Sequence, residues 1–401
     1  MVQIEVRPLQ GLLIEEQPVE IVERKGLGHP DTICDMLSER FSVALSRHYI
    51  DRFGIILHHN VDKALLSAGR AEARFGGGQI LKPIEIYLGG RASLDVRGAR
   101  VPVREIATEV VRSWIGDNLH MSHLLGDVEV KCLVQPGSSE LVELFMRQRE
   151  AGKMLANDTS IGVGYAPMSG LERIVLEVEE HVNTRGFKRD FPSSGEDVKV
   201  MGVRVRDRIT LTVACAFVGA YLHDSAAYIE AKEQLAMTAR NVAAALTRRE
   251  VAVDVNVADN VTSGDIFLTV AGTSAEAGDD GETGRGNRIN GLITPNRPMT
   301  LEAVAGKNPI THVGKIYNAT ARNIAQELVA VVPGVTDAEC RLVSRIGTPI
   351  DEPAIVDVQL RTLEGGLSSQ MKRHASEIVC DHLHRATDIW RSFFDGVQRV
   401  A

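Results

Sequence analysis

The stretch ITLTVACAF, Ile209 to Phe217, alternates apolar with polar side chains over its first five residues. Successive side chains of a strand point to opposite faces, so Ile209, Leu211 and Val213 share one face while Thr210 and Thr212 share the other. A strand patterned this way is buried on one side only. Similar segments are expected at Glu129–Val134, Lys199–Val205, Val251–Val257, Ile266–Val270, Arg341–Arg345 and Ile355–Leu360. Between them lie segments with helical spacing: Pro30–Tyr49, Val103–Asn118, Ser138–Glu150, Ser225–Arg248, His312–Val331 and Gln370–Phe394. In the Ser225 helix, Ala231, Leu235, Val242 and Leu246 are expected on one face; in the last helix, Ile378, Leu383, Ala386, Trp390 and Phe393. Half-exposed strands backed by helices imply α+β layers rather than a doubly wound parallel sheet. No fixed-period repeat and no low-complexity linker marks a domain border.

Composition narrows the function. The chain has 401 residues and a net charge of -8, which argues against a sequence-independent nucleic-acid binder, because such proteins carry basic surfaces. Its five cysteines (Cys34, Cys132, Cys215, Cys340, Cys380) are scattered without zinc spacing and read as reduced core residues. The segment MVQIEVRPLQ lacks the apolar run of a signal peptide, and no stretch is apolar enough to span a bilayer, so a cytoplasmic, soluble protein without membrane partners is expected. GxxxxGK[ST], GxGxxG in a strand–helix context, GxSxG and HExxH are all absent, which sets aside P-loop, Rossmann, α/β-hydrolase and zincin chemistry.

What remains is a set of charged, glycine-rich loops. In ERKGLGHPDTICDML, Glu23 to Leu37, Pro30 suits the first position of a helix whose buried face is Ile33, Leu37, Phe41 and Leu45. His29 then falls near the N-cap and Asp31 in the first turn. A helix start attracts phosphate, and a carboxylate beside phosphate attracts a divalent cation; a plain helix cap with a surface histidine is the simpler alternative. Lys199 lies in GEDVKVMG and Lys307 in AGKNP, each in a turn. NDTSIGVGYAP (157–167) and QPGSSEL (135–141) are polar turns beside apolar runs, and the serines of the second could cap a helix or meet a ligand. The segment 271–299, AGTSAEAGDDGETGRGNRINGLITPNRPM, is too long and too mixed in charge for a simple connection and reads as a binding loop. Together these loops have the chemistry of a polyphosphate–metal site.

Taken in order, GLGHPDTICD, HHNVDKALLSAGRA, FGGGQILKPIEI, NDTSIGVGYAP, GEDVKVMG, GTSAEAGDDGETGRGNRINGLITP and EAVAGKNPITHVGKIYN resemble the blocks of the S-adenosylmethionine synthetases (methionine adenosyltransferases), in their archaeal-type branch. The resemblance implies an α+β fold of three similar subdomains, each a sheet plus helices, around a pseudo-threefold axis. The chain would be one integrated unit with interleaved subdomains near 1–135, 136–270 and 271–401. It implies a homodimer, or a higher oligomer, with active sites at the interface. The implied substrates are ATP and L-methionine: the thioether sulfur attacks the 5′ carbon of ATP, and the released triphosphate is cleaved to pyrophosphate and phosphate.

Carried across by position, the resemblance assigns His29 to the triphosphate at the breaking bond and Asp31 to magnesium. Asp158 would hold methionine, Asp197 would lie near the adenosine, and Lys199 would contact phosphates. Asp279 becomes a nucleoside or methionine contact, Arg285 a triphosphate contact in the hydrolytic step, and Lys307 a phosphate lysine. Gly137, Ser138 and Ser139 occupy the place of an ATP-contacting turn. The implied cofactors are Mg2+ and K+. The chain departs from the bacterial pattern at Gly286, where a lysine is expected and Arg288 is the available replacement. It departs again beyond Lys307, where His312 or Lys315 would replace a lysine and the second magnesium lacks an evident ligand. The potassium-binding glutamate has no clean match near His58–Asp62. The alternatives are a non-catalytic nucleotide-binding regulator and the same chemistry on a methionine analogue.

Overall fold

A computed structural model describes residues 2–96, 98–126, 128–137 and 153–400. The expected helix Ser138–Glu150, with Ser138 and Ser139, lies outside the described residues. The alternation at Ile209 is realised as expected. Ile209, Leu211, Val213 and Cys215 are buried in the strand Arg208–Val218, while Thr210, Thr212 and Ala214 are only half-buried.

Three sheets of this kind each carry two helices over an apolar core. The first has the order Gln135–Pro136, Glu85–Ala92, His59–Ser67, Gly281–Glu282, with Glu129–Cys132 also beside Glu85–Ala92. Helices Pro30–Phe53 and Val103–Asn118 cover it. The second has the order Glu250–Val255, Arg208–Val218, Ser194–Val205, Val19–Lys25, under helices Gly170–Val182 and Ser225–Leu246. The third has the order Ile4–Pro8, Ile355–Thr362, Val335–Val343, Ile161–Ala166, under Val313–Val331 and Ser369–Arg385. Each core holds one buried cysteine: Cys34, Cys215 and Cys340. Cys380 is exposed, contrary to the expectation that all five belong to cores. The α+β class is correct, and the chain interleaves. Ile4–Pro8 enters the third sheet and Val19–Lys25 the second, and Gly281–Glu282 returns to the first.

Other departures have local causes. The helix Gly170–Val182 was not anticipated, although Ser169 and Glu172 form a capping box: Ser169 Oγ accepts the Glu172 N–H (3.0 Å) and Glu172 Oε2 accepts the Ser169 N–H (2.8 Å). The buried face of Ser225–Leu246 is Tyr228, Leu235, Ala239 and Ala243, rotated from the expected one, and Leu246 is exposed. The Glu250–Val255 strand stops short of Val257. Asn256 adopts φ 43° and uses its side-chain amide to bond both the N–H and C=O of Cys215. The last helix ends at Arg385. After a 3-10 turn over Ala386–Asp388, a short helix Trp390–Phe394 places Phe393 in a different cluster with Ile289 and Val304. One continuous helix could not serve both cores.

The Pro30–Phe53 helix positions the site. Its apolar face fills the first core. Its opposite side is buried too, and it is polar: Asp31, Asp35, Ser38, Glu39 and Ser42. A buried polar face must find partners, and here they come from the loops that follow.

Candidate functional site

His29 caps this helix: its Nδ1 accepts the Asp31 N–H at 3.2 Å, with Pro30 at the first helical position. An imidazole that accepts through Nδ1 carries its proton on Nε2 when neutral. Burial holds His29 neutral by lowering its pKa to about 4. The cap therefore presents an uncharged N–H donor. Asp31 Oδ1 accepts the Glu282 N–H (2.9 Å), and Asp31 Oδ2 meets Lys25 Nζ (2.8 Å). Lys25 Nζ also donates to the Arg285 carbonyl (2.8 Å).

The second sheet supplies the adjoining wall. Gly28 N–H donates to the Glu196 carbonyl (2.9 Å), bringing the histidine loop against the strand that carries Asp197 and Lys199. Asp197 is buried, and its Oδ2 accepts from both Ser274 N–H (2.8 Å) and Ser274 Oγ (2.5 Å). Burial raises its pKa to about 6. Lys199 Nζ pairs with Glu23 at 3.3 Å.

The segment 271–299 is anchored rather than loose. Thr273 Oγ1 donates to the Gly28 carbonyl (2.7 Å), and Gly281–Glu282 pairs with Leu65 and Leu66 of the first sheet. Gly284 N–H donates to Asp35 Oδ1 (2.8 Å), and Asn287 bonds both the N–H and C=O of Lys25 (3.0 and 2.8 Å). At Gly286 a Cβ would lie 2.3 Å from Asp35 Oδ2, which explains the glycine where a lysine is expected. Arg288 does not replace that lysine, because its guanidinium is spent on the carbonyls of Gly284 and Gly286. Arg285 is exposed, and its guanidinium has no partner among the described residues. Asp279 is exposed on the same loop.

Farther along the helix, Glu39 Oε2 accepts the Gly306 N–H (3.0 Å) and both its oxygens hold Lys315 Nζ (2.6 Å). Lys307, next to Gly306, is buried between Asp62 (2.7 Å) and Glu302 (2.9 Å). Lys315 is fully buried over the Phe393 ring, and His312 caps the Val313–Val331 helix, so neither is free to stand in for the missing lysine. Asp31, Asp35 and Glu39 are spaced i, i+4, i+8, so this polar strip is about 12 Å long.

The structure thus gathers His29, Asp31, Asp197, Lys199, Arg285 and Lys307 along one helix and its covering loop, with Asp279 near the Asp197 wall. Asp158 makes no side-chain contact with them among the described residues, although its neighbour Asn157 donates its N–H to the Thr311 carbonyl (3.3 Å), four residues from Lys307. Asp158 is exposed on a turn tied to Ser344, whose Oγ donates to its carbonyl (2.9 Å). Gly137 sits at the edge of the first sheet. Sequence reasoning missed Lys25, Asp35, Asp62 and Glu302. The ICD aspartate, Asp35, was legible by its i+4 offset from Asp31; the other three carry no local signal.

Among the described residues no three His, Cys, Asp or Glu side chains converge on a metal position. Asp31, a carboxylate buried at the loop junction, is of the residue type that could contribute to a divalent-cation position.

Asp35 makes a testable electrostatic feature. Burial raises its pKa to about 7 from 3.8, although the Gly284 N–H opposes this, and its Oδ2 has no partner. An acid whose folded pKa is raised contributes stability that is complete below about pH 4 and is lost as pH rises through about 7. Asp35→Asn keeps the acceptor for Gly284. The variant should therefore gain on the native protein in denaturant melts from pH 4 to 7, by at most about 4 kcal/mol, with no further gain above. A difference independent of pH would show that Asp35 is ionised in the folded protein.

The profile of the S-adenosylmethionine synthetase (AdoMet synthetase) family matches residues 2–397. The chain is 50% identical to the probable S-adenosylmethionine synthase of Aquifex aeolicus over the whole of both chains. It is 45% identical to the S-adenosylmethionine synthase of Methanosarcina mazei over 98% of each chain, and 44% identical to that of Pyrococcus furiosus over 95% of each.

Proposed function

The chain belongs to the S-adenosylmethionine synthetase family, and from that premise we propose that it makes S-adenosylmethionine from ATP and L-methionine at the polar strip of the Pro30–Phe53 helix. It is a methionine adenosyltransferase. The thioether sulfur attacks the 5′ carbon in line, and triphosphate leaves and is then hydrolysed to pyrophosphate and phosphate. The observation that carries this reading is that the histidine cap, the Asp197–Lys199 strand, the 271–299 loop and Lys307 converge on one helix.

A thioether has no proton to lose, so the first step needs no general base. It needs alignment and stabilisation of charge growing on the triphosphate. The neutral Nε2–H of His29 donates to the oxygen at the breaking bond. Lys199 and Lys307 neutralise the departing chain, and Arg285, unengaged, serves the hydrolytic step. Asp197 and Asp279 take the nucleoside side. Asp31 would hold Mg2+, which supplies further positive charge to the triphosphate; K+ is a second expected cation.

Asp158 makes no side-chain contact with this group among the described residues. In this reading the protein is a homodimer with sites at the interface, and Asp158, Gly137, Ser138 and Ser139 complete the methionine and ATP contacts. The three sheet-and-helix units stand, in this reading, for the three subdomains, with strands Ile4–Pro8, Val19–Lys25, Ile161–Ala166 and Gly281–Glu282 crossing the simple borders 1–135, 136–270 and 271–401. Among the described residues no helix is long and apolar enough to cross a membrane; a cytoplasmic location is part of the proposal.

Mass-spectrometric product analysis with ATP, methionine, magnesium and potassium tests the proposal. Equimolar S-adenosylmethionine, pyrophosphate and phosphate are expected. A folded His29→Ala variant should turn over about 10²–10³-fold more slowly. No S-adenosylmethionine from folded protein that binds ATP would overturn the activity, and full turnover by the variant would overturn the role of His29.

A further inference from the structure

We infer that Lys25 is the resident counter-ion of the cation position at Asp31, holding that carboxylate until a divalent ion displaces its ammonium toward the triphosphate. The inference rests on the metal role proposed for Asp31. Both Asp31 oxygens are engaged: Oδ1 by the Glu282 N–H and Oδ2 by Lys25 Nζ at 2.8 Å. A cation arriving at Asp31 must therefore share Oδ2 with an ammonium or expel it.

Lys25 is built for this place. Its backbone is pinned on both sides, N–H to Asn287 Oδ1 (3.0 Å) and C=O to Asn287 Nδ2 and Thr32 Oγ1 (2.8 and 3.1 Å). Only its side chain is free to move, and that is 13% exposed. Lys25 also lies directly opposite Lys199 in the antiparallel pairing of Val19–Lys25 with Ser194–Val205. Like charges opposed across strands repel. The protein offsets each with its own carboxylate, Asp31 for Lys25 and Glu23 for Lys199. Two opposed ammonium groups beside the His29 cap suit a polyanion better than they suit each other. When a divalent ion takes Asp31, the Lys25 ammonium keeps the Arg285 carbonyl (2.8 Å) but loses its carboxylate, and a phosphate oxygen beside the Arg285 loop replaces that carboxylate.

The test is Mn2+ binding to the nucleotide-free protein, read by electron paramagnetic resonance, so that it does not depend on turnover. Lys25→Met should bind Mn2+ roughly tenfold more tightly than the native protein, because a carboxylate without its cation attracts another. Lys25→Gln is the second neutral variant and should do the same. Lys25→Arg keeps the charge and should stay as weak as the native protein. Asp31→Asn should remove the tightened site in either background. Unchanged or weaker Mn2+ affinity in folded Lys25→Met and Lys25→Gln overturns the counter-ion role alone. Tight binding that survives Asp31→Asn overturns the metal role of Asp31 as well, and that separates the two failures.

Discussion

Lys307→Met is expected to lower kcat/KM for S-adenosylmethionine formation by about 10²–10³-fold, and also to destabilise the fold. The first effect follows from removing a fixed cation from a buried site where charge develops. The second follows from Asp62. Burial alone would raise the pKa of that carboxyl, but the ion pair and hydrogen bond with Lys307, helped by Lys63, outweigh burial and bring it to about 2 from 3.8. The pair therefore stabilises the protein fully above about pH 4, and this contribution is lost as pH falls through about 2. Without Lys307 the buried Asp62 carboxylate keeps only Lys63 (2.6 Å), whose side chain is 69% exposed and therefore screened by water, so breaking the buried pair should cost up to about 3 kcal/mol. The double variant Lys307→Met/Asp62→Asn separates the effects. Urea melts at pH 7 should show most of the stability restored, while steady-state assays show turnover still lost. A double variant that regained activity would mean that Lys307 acts only by neutralising Asp62.

Gly28→Ala should be nearly as damaging without removing any functional group. Gly28 has ordinary backbone angles, so the demand is for space rather than for a left-handed φ. A Cβ there would lie 2.5 Å from Asp197 N and 2.6 Å from the Glu196 carbonyl carbon. Those atoms lie in the irregular stretch of Ser194–Val205, where the Asp197 N–H is held by the Gly272 carbonyl (3.1 Å) and the Asp197 carboxylate by Ser274, so the histidine loop must retreat. A shift near 1 Å at His29 is expected to cost about 10²-fold in kcat, with about 1–3 kcal/mol of stability lost to overpacking. Gly116→Ala is the control: it lies in the Val103–Asn118 helix with nothing within 4 Å of its Cβ, and should be neutral or slightly stabilising. Activity of Gly28→Ala within twofold of native would show that the loop is not held at this spacing.

Gly28 also shows how far the GLGHPD motif could be read. Pro30, the His29 cap and the first-turn Asp31 were legible because capping is decided within four residues. The reason for the glycine was not, because the strand it touches lies some 170 residues on. The same division runs through the molecule. Val103–Asn118 was legible to the residue, as was the one-sided burial of Ile209, Leu211 and Val213, since both depend on local periodicity. The break after Arg385 was not, because it comes from Ala386 and Phe393 serving two cores.

The charged residues divide most clearly. By itself the sequence determined that loops rich in glycine, acid and base accompany an α+β core, and which of their residues match a known family. Tertiary structure decided how those charges are used. It set Lys307 on Asp62 and Glu302, Lys315 on Glu39, Lys25 on Asp31 and Arg288 on loop carbonyls, leaving Arg285 unengaged among the described residues. Local sequence sets backbone preference and the periodicity of burial. An ion pair such as Lys307–Asp62 joins residues 245 apart in the chain, and only the packing of the sheet and helix between them brings the two charges out of water together.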